Sequence, residues 1–556
     1  MLVVWCSTSC QAGGGPENVF LLVNSDSRDS KTVANHFVDL RKIPPQNVFY
    51  LSWKRSRAIT RGGTFRKEIL LPALEEISRR KLGGQIDYLI YSCDFPWRIG
   101  YAKEFPDETF PRGLNPTTSL TGSTYLWPFV KNERKELFGL QNNFYYAPTR
   151  AGMTLTRGFR GGQFWDSNGR RTDAGKGLPY LLSTMLGVTD GRGNSVEEII
   201  RYLESASKAD GTKPRGVIYY VRNNSPRSTP RHDLFPKAVG QLALLDVHAE
   251  IVNGQFILNK AQVMGVTCGA PRLNIAQAGN LFKPGALGDN LTSAGGNLLI
   301  RKAKGPPQTA LTEFLRFGAA GACGTVIEPL NYPQKFPSPF LHVHYAKGCS
   351  MAESFYQSIA GPYQQLIVGD PLCQPWADRP EVSVGGFQDD ARVSGKVTII
   401  PSAKTSEGKE VAYFELFENG RRTQRCPPGG NFSLDTMAMA DGVHELRVVA
   451  TDNTPIETQG RWMGNVMVKN KFDAVQLVVD DAQLARAAEY LTVGVASSRE
   501  DTVKVFHNGR ELGSVAKGAG SLQIPVETLG SGPVTLHAES EGESKLRSRP
   551  LRIIVP

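Results

Sequence analysis

The chain has 556 residues, too many for one hydrophobic core, so three or four domains are expected. Its formal net charge is +11, yet the basic residues are scattered and no basic stripe carries interleaved aromatics, which argues against nucleic-acid binding. No apolar run approaches the roughly 18 residues that span a bilayer, and eight cysteines without one C-x-x-C pair fit neither a disulfide scaffold nor a zinc module.

Residues 1–12 pass from apolar to small side chains and are followed by Gly13, Gly14, Gly15 and Pro16. An export segment is therefore expected over residues 1–16, with Cys6 or Cys10 as lipidation candidates lacking a clean lipobox. An exported location (periplasmic, cell-surface or extracellular) follows from that expectation.

The first α/β unit is expected over residues 17–160. Residues 18–24 form a continuous apolar run, as in a strand covered on both faces. Polar turn residues at 25–30 precede Val33, Phe37 and Leu40 at helical spacing, and Pro44 and Pro45 stop that helix. Strands follow at 48–51 and 86–91, with a helix at 69–77 between them. The basic residues Arg55, Arg57, Arg61, Arg66 and Lys67 form the densest such group and read as a solvated surface. Residues 100–180, rich in Gly, Pro, Asn and aromatics, read as a long excursion.

A second α/β unit is expected over 161–377. Strands at 216–221, 249–252, 263–267, 286–291, 322–327 and 366–368 alternate with helices at 196–206, 235–245, 309–317 and 351–359. Such alternation predicts a mostly parallel sheet with helices on both faces. The cysteines fall in or beside these strands, where buried thiols act as small hydrophobes.

From about Arg379 the pattern becomes period-two strands and turns. Val411 onward runs into Asn419-Gly420, and Thr502 onward into Asn508-Gly509, each a strand entering an Asn-Gly hairpin turn. Gly442 onward likewise recurs at Gly532. One module of about ninety residues is used twice, the size of an immunoglobulin-like sandwich. The two copies are placed at 378–470 and 471–556.

Candidate chemistry gathers at strand ends, where ligands enter open α/β sheets. Ser293 is a nucleophile candidate, with Gly295 and Gly296 free to turn backbone N–H groups toward an oxyanion. The plain alternative is that Thr292 and Ser293 cap a turn and the glycines allow tight packing. Asp94, Glu328 and Asp370 are carboxylates suited to acid–base work or to capping turns. Asn24 and Asp26 share that ambiguity, and Lys335 is a candidate anion ligand. His342 and His344 form H-x-H, which on a strand puts both rings on one face, but two ligands do not make a metal site; no metal and no cofactor are expected. No G-x-G-x-x-G, Walker A, G-x-S-x-G, H-E-x-x-H or EF-hand loop is present, and Gly191 to Ser195 reads as a turn into the following helix.

Residues 18–24, 41–45, 86–89, 291–296, 324–329, 335–337 and 368–371 together resemble an uncharacterised family of large exported bacterial proteins. That family is distantly similar to the gingipain-type cysteine peptidases of the caspase-like fold. The resemblance spans roughly residues 17–377 and implies a caspase-like sheet followed by immunoglobulin-like domains. In such peptidases the catalytic histidine follows the third strand and the nucleophilic cysteine the fourth. Here those positions fall at 267–270, where Cys268 stands in place of a histidine, and at 291–295, where Ser293 replaces the cysteine.

The resulting expectation is an exported modular protein whose gingipain-like α/β region has lost the Cys/His dyad and binds a ligand, peptide or envelope component. A hydrolase using Ser293 or Cys268, and an envelope structural protein, are the alternatives. Neither nucleic acid nor a transmembrane span is expected.

Overall fold

The computed structural model describes residues 14–150, 153–300, 307–386, 388–471, 473–479, 489–542 and 545–556. The expected export segment falls almost entirely outside the described residues, as do Cys6 and Cys10. Among the described residues no helix is long and apolar enough to cross a membrane.

Strand β1 (Val19–Asn24) is buried at all six positions, as its unbroken apolar run requires. Helix α1 (Arg28–Arg41) starts where the Ser27 side chain accepts a hydrogen bond from the Ser30 amide. It ends with Lys42 in the left-handed region, and Pro44 and Pro45 then prevent its continuation. Strands β2 (Val48–Leu51) and β3 (Tyr88–Tyr91) flank β1, both parallel to it.

The second unit opens with α2 (Val196–Ala209), whose N-terminus is closed by reciprocal hydrogen bonds between Ser195 and Glu198. Strands β4 (Val217–Arg222), β5 (Ala249–Asn253), β6 (Val263–Cys268), β7 (Phe282–Asn290), β8 (Gly321–Thr325) and β9 (Gln365–Gly369) form a sheet of order β5-β4-β6-β7-β8-β9. Neighbours from β5 to β8 are parallel. Strand β9 runs antiparallel to β8, with Gly369 opposite Gly321 and Gln365 opposite Thr325.

Residues 182–186 join the two sheets. The Leu89 amide donates to Leu182 O at 2.9 Å and the Met185 amide to Ile367 O at 3.0 Å, and the bridges to β3 and β9 are both parallel. The joined sheet therefore reverses direction between β9 and β8. The carboxyl ends of β1, β3 and β9 lie at one edge; those of β4, β6, β7 and β8 lie at the other. One apolar core runs from Val19 to Cys373, so the expected boundary near residue 160 is not a break in packing. The excursion contributes to it: the buried Tyr125 ring stacks between Tyr180 at 4.6 Å and Tyr356 at 4.0 Å.

The two β modules each hold their own apolar core. Both hairpin turns have positive φ at both central residues, Asn419 at 49° and Gly420 at 84°, Asn508 at 47° and Gly509 at 70°. These are the mirror-image turns that Asn-Gly pairs favour. The modules dock on the α/β unit rather than extending from it. A Cβ on Gly420 would lie 2.2 Å from Pro44 Cβ, and one on Gly509 would lie 3.0 Å from Pro45 O. Equivalent turns from the two modules thus land on the same Pro44–Pro45 corner. Gln85 fastens the first, donating to Gly420 O at 2.7 Å and accepting from the Arg422 amide at 2.9 Å.

Candidate functional site

Strands β6 and β7 are parallel neighbours with Cys268 opposite Asn290, so the loops holding Cys268 and Ser293 share one edge of the sheet, side by side. Cys268 is the last residue of β6 and is 1% exposed. Its Sγ lies 3.6 Å from both Asp289 O and Asn290 Oδ1. Burial, reinforced by the Asp289 carboxylate, pushes the thiol well above its ordinary range. A thiolate nucleophile is disfavoured there. Asn290 closes the loop by accepting from the Ala270 amide and donating to Ala270 O, each at 3.0 Å.

Ser293 is partly buried, and its Oγ accepts a hydrogen bond from Arg227 Nη2 at 3.3 Å. Among the described residues no imidazole or carboxylate is hydrogen-bonded to it. Of the two expected oxyanion donors, the Gly296 amide is spent on Thr325 O at 3.0 Å, and the neighbouring Ala294 amide donates to Gln308 Oε1 at 3.0 Å. Gly296 is needed for packing instead, since a Cβ there would lie 2.2 Å from Gly324 O. Gly295 likewise sits against Gly324, with its carbonyl accepting from the Leu311 amide at 2.8 Å.

Beneath this edge lies a buried ion pair that sequence reasoning missed. Arg231, in the turn after β4, pairs through Nη1 with Asp289; both side chains are almost wholly buried. Nη1 also reaches Pro337 O at 3.1 Å, and Nη2 reaches Cys268 O at 2.5 Å. Burial raises the Asp289 carboxyl while the guanidinium opposes that rise. Arg231 belongs to a hydrophilic Ser-Thr-Pro-Arg-His-Asp stretch that reads locally as exposed turn; nothing near it in sequence announces a partner 58 residues away.

The remaining candidates do not assemble with Ser293 and Cys268. Because β9 is reversed, Asp370 lies at the opposite edge, fully buried, receiving Arg41 Nε at 2.8 Å. Asn24 and Asp94, at the ends of β1 and β3, also belong to that opposite edge. Asn24 ties three segments together, donating to Trp53 O at 3.1 Å and Asp94 O at 2.9 Å. Asp94 accepts from Ser27 and Thr189 and pairs with Arg57 at 3.0 Å. Asp26 accepts from Ser52 at 2.5 Å and is 3.8 Å from Lys54.

Glu328 is exposed and closes its own turn, accepting from the Leu330 amide at 3.0 Å. Lys335 is not free for an external anion: its buried ammonium is enclosed by Gly113 O, by Pro329 O at 3.2 Å and by Gln364 Oε1 at 3.0 Å. Burial pulls it down to about 7. His342 and His344 lie on a helix (Leu341–Ala346), not a strand. Two residues apart on a helix they face different ways. His342 Nε2 meets Thr267 Oγ1 at 3.1 Å and His344 Nδ1 meets Thr156 Oγ1 at 2.9 Å. Burial holds both imidazoles down at about 3. No group of three or more potential metal ligands occurs among the described residues.

A cavity of about 550 Å³ opens beside Arg231 rather than beside Ser293. Its walls come from the excursion (Phe144, Tyr146), the turn after β4 (Arg231, Leu234) and the segment after β8 (Gln334, Ser338). This mixture of aromatic, proline and amide groups suits a neutral or weakly polar ligand. Within the basic group, Arg55 pairs with Glu68 at 2.8 Å, Arg57 with Asp94, and Arg66 with Glu133 at 2.5 Å. Three of the five basic residues are thus engaged with carboxylates, while Arg61 and Lys67 are exposed, as a solvated surface would have them.

No family model matches the chain, and no curated protein matches it. Solved structures with some likeness include the fibronectin(III)-like modules of Clostridium thermocellum CbhA, at 13% identity and a TM-score of 0.15, covering 31% of this chain and 93% of that one. Dimeric latent PorU from Porphyromonas gingivalis matches at 13% identity and a TM-score of 0.13, covering 32% of this chain and 20% of that one. SGBP-B of the Bacteroides ovatus mixed-linkage glucan utilization locus, in complex with a mixed-linkage heptasaccharide, matches at 12% identity and a TM-score of 0.20, covering 32% of this chain and 47% of that one.

Proposed function

We propose that the chain is an exported, non-catalytic binding protein built on a gingipain-like, caspase-type α/β sheet with two immunoglobulin-like modules docked against it. One observation carries this reading. The two loops where such peptidases keep their dyad are adjacent, but one holds a sealed thiol facing carbonyl-type oxygens and the other a hydroxyl whose neighbour is an arginine. A serine needs a general base to become nucleophilic, and a guanidinium stays protonated and cannot accept the proton. The cavity beside Arg231 offers the ligand a place on the same side of the fold.

Labelling of the purified chain with a fluorophosphonate probe and with iodoacetamide tests this reading, alongside Ser293→Ala and Cys268→Ala variants. The native protein is expected to give no labelling at either position. Stoichiometric labelling that disappears in Ser293→Ala or Cys268→Ala would establish a working nucleophile and overturn the proposal in favour of a hydrolase.

A further inference from the structure

A separate cavity of about 360 Å³ opens where the first described residues, the end of α1, the turn after α2, the segment after β9 and the first β module meet. Arg41, Lys42, Arg379 and Arg461 line it, and Asp210 is the one carboxylate among the lining residues. Asp370 and Glu17, which balance the arginines, are fully buried and do not line it. The three carboxylates do not offset the four lining cations, and the cationic side faces the space.

The arginines differ in how far they are satisfied. Arg41 is paired on two sides, with Asp210 and Asp370 each at 2.5 Å, although its Nη2 makes no well-aligned hydrogen bond. Arg379 gives Nη2 to Asp210 at 2.9 Å and to Gln374 at 3.1 Å, but its buried Nε has no acceptor. Arg461 is the least satisfied. Its nearest counter-charge is Glu17 Oε1, 3.4 Å from Nε and already taken by Arg447 at 3.0 Å. No described residue accepts a hydrogen bond from its guanidinium, whose side chain is only 17% exposed. Burial works against its charge, and Arg379 and Arg447 add like charge nearby. The guanidinium lies close against the Gly15 backbone, where a Cβ would come within 1.8 Å of Arg461 Nη2. Residues 1–13 contain no Asp or Glu that could neutralise it.

A partly buried guanidinium without acceptors is costly, and its planar fork matches the paired oxygens of a carboxylate or phosphate. We propose that this cavity binds a small organic oxyanion, a carboxylate or a phosphate ester, gripped by Arg461 and Arg379 with Lys42 at the rim. An occupant there touches both the α/β unit and the first β module, so binding tightens their docking.

Isothermal titration of the full chain with inorganic phosphate, and separately with succinate, at ionic strength fixed by sodium chloride, tests the site. Saturable one-site binding of at least one anion is expected, weakened tenfold or more in Arg461→Met and in Arg379→Gln and unchanged in Lys176→Met. Binding of phosphate alone identifies the phosphate class, and binding of succinate alone the carboxylate class. Should Arg461→Met fail to fold, Arg461→Lys keeps the charge while removing the fork and is expected to lose affinity with its circular dichroism intact. No saturable binding of either anion, or equal binding by the Arg461 and Arg379 variants, overturns the proposal.

Discussion

Replacing Asp289 by asparagine leaves shape nearly unchanged but strips the charge from a pair whose partners are almost wholly buried. Arg231 would keep two carbonyl acceptors, Cys268 O at 2.5 Å and Pro337 O at 3.1 Å, but no counter-ion. Two unit charges about 4 Å apart attract by roughly 4 kcal/mol at an effective dielectric of 20. Breaking one side of a buried pair costs roughly 3–5 kcal/mol, because the surviving charge stays desolvated. Asp289→Asn is therefore expected to destabilise the α/β unit by about 3–4 kcal/mol. At about 2–4 °C per kcal/mol that lowers its transition by roughly 6–16 °C. The β modules have separate cores, so differential scanning calorimetry should show the α/β transition moving while module transitions stay within a few degrees. Arg231→Met is expected to cost a similar amount. The Asp289→Asn/Arg231→Met double variant should cost far less than the two single losses together, since neither charge is then stranded. Asp289→Asn within about 1 kcal/mol of the native protein, or full additivity in the double variant, refutes the reasoning.

Acid should unfold the chain through its buried imidazoles. Burial depresses His507 to about 4, and His342 and His344 to about 3, from an ordinary 6.5. Their contribution is whole above 6.5 and is lost as pH falls from there toward the folded values, by about 3 kcal/mol for His507 alone. Urea midpoints followed by circular dichroism should drop steadily from pH 7 to pH 4, and a flat profile would contradict this. Gly420→Ala strains a positive φ and drives a methyl into Pro44. It should loosen the first β module and speed its release by limited proteolysis. Gly408→Ala, also at positive φ but with open space around it, should leave that release rate nearly unchanged. Asn290→Ala strands the Ala270 amide and carbonyl; a loss of about 2–4 kcal/mol in chemical denaturation is expected.

Several features were legible because local chemistry fixes them. The apolar run at 19–24 could only be a strand covered on both faces, the polar stretch before α1 supplied its cap, and Asn-Gly pairs had to form turns with positive φ. That the loops carrying Cys268 and Ser293 lie side by side was an expectation of the family resemblance, not of local chemistry; the strands they follow are parallel neighbours. The rest of the expected site was not legible. Asp94 and Asp370 read as members of one crevice with Glu328 because each ends a strand, yet a strand's own residues do not encode its direction relative to distant neighbours. The direction of β9 is set by hydrogen bonds to β8 and to residues 182–186. The H-x-H spacing of His342 and His344 brings two rings to one face only on a strand; their segment is a helix, and the rings reach Thr267 and Thr156 separately.

What the residues settled alone were short-range matters: roughly where many of the strands and helices lie, which turns Asn-Gly pairs make, and that one sequence module recurs. Tertiary structure decided which carboxylates share an edge, which lysine and arginines are enclosed, and where the modules dock. Those outcomes depend on groups tens to hundreds of residues apart meeting out of water, where an unpaired charge or amide is costly and a paired one is not.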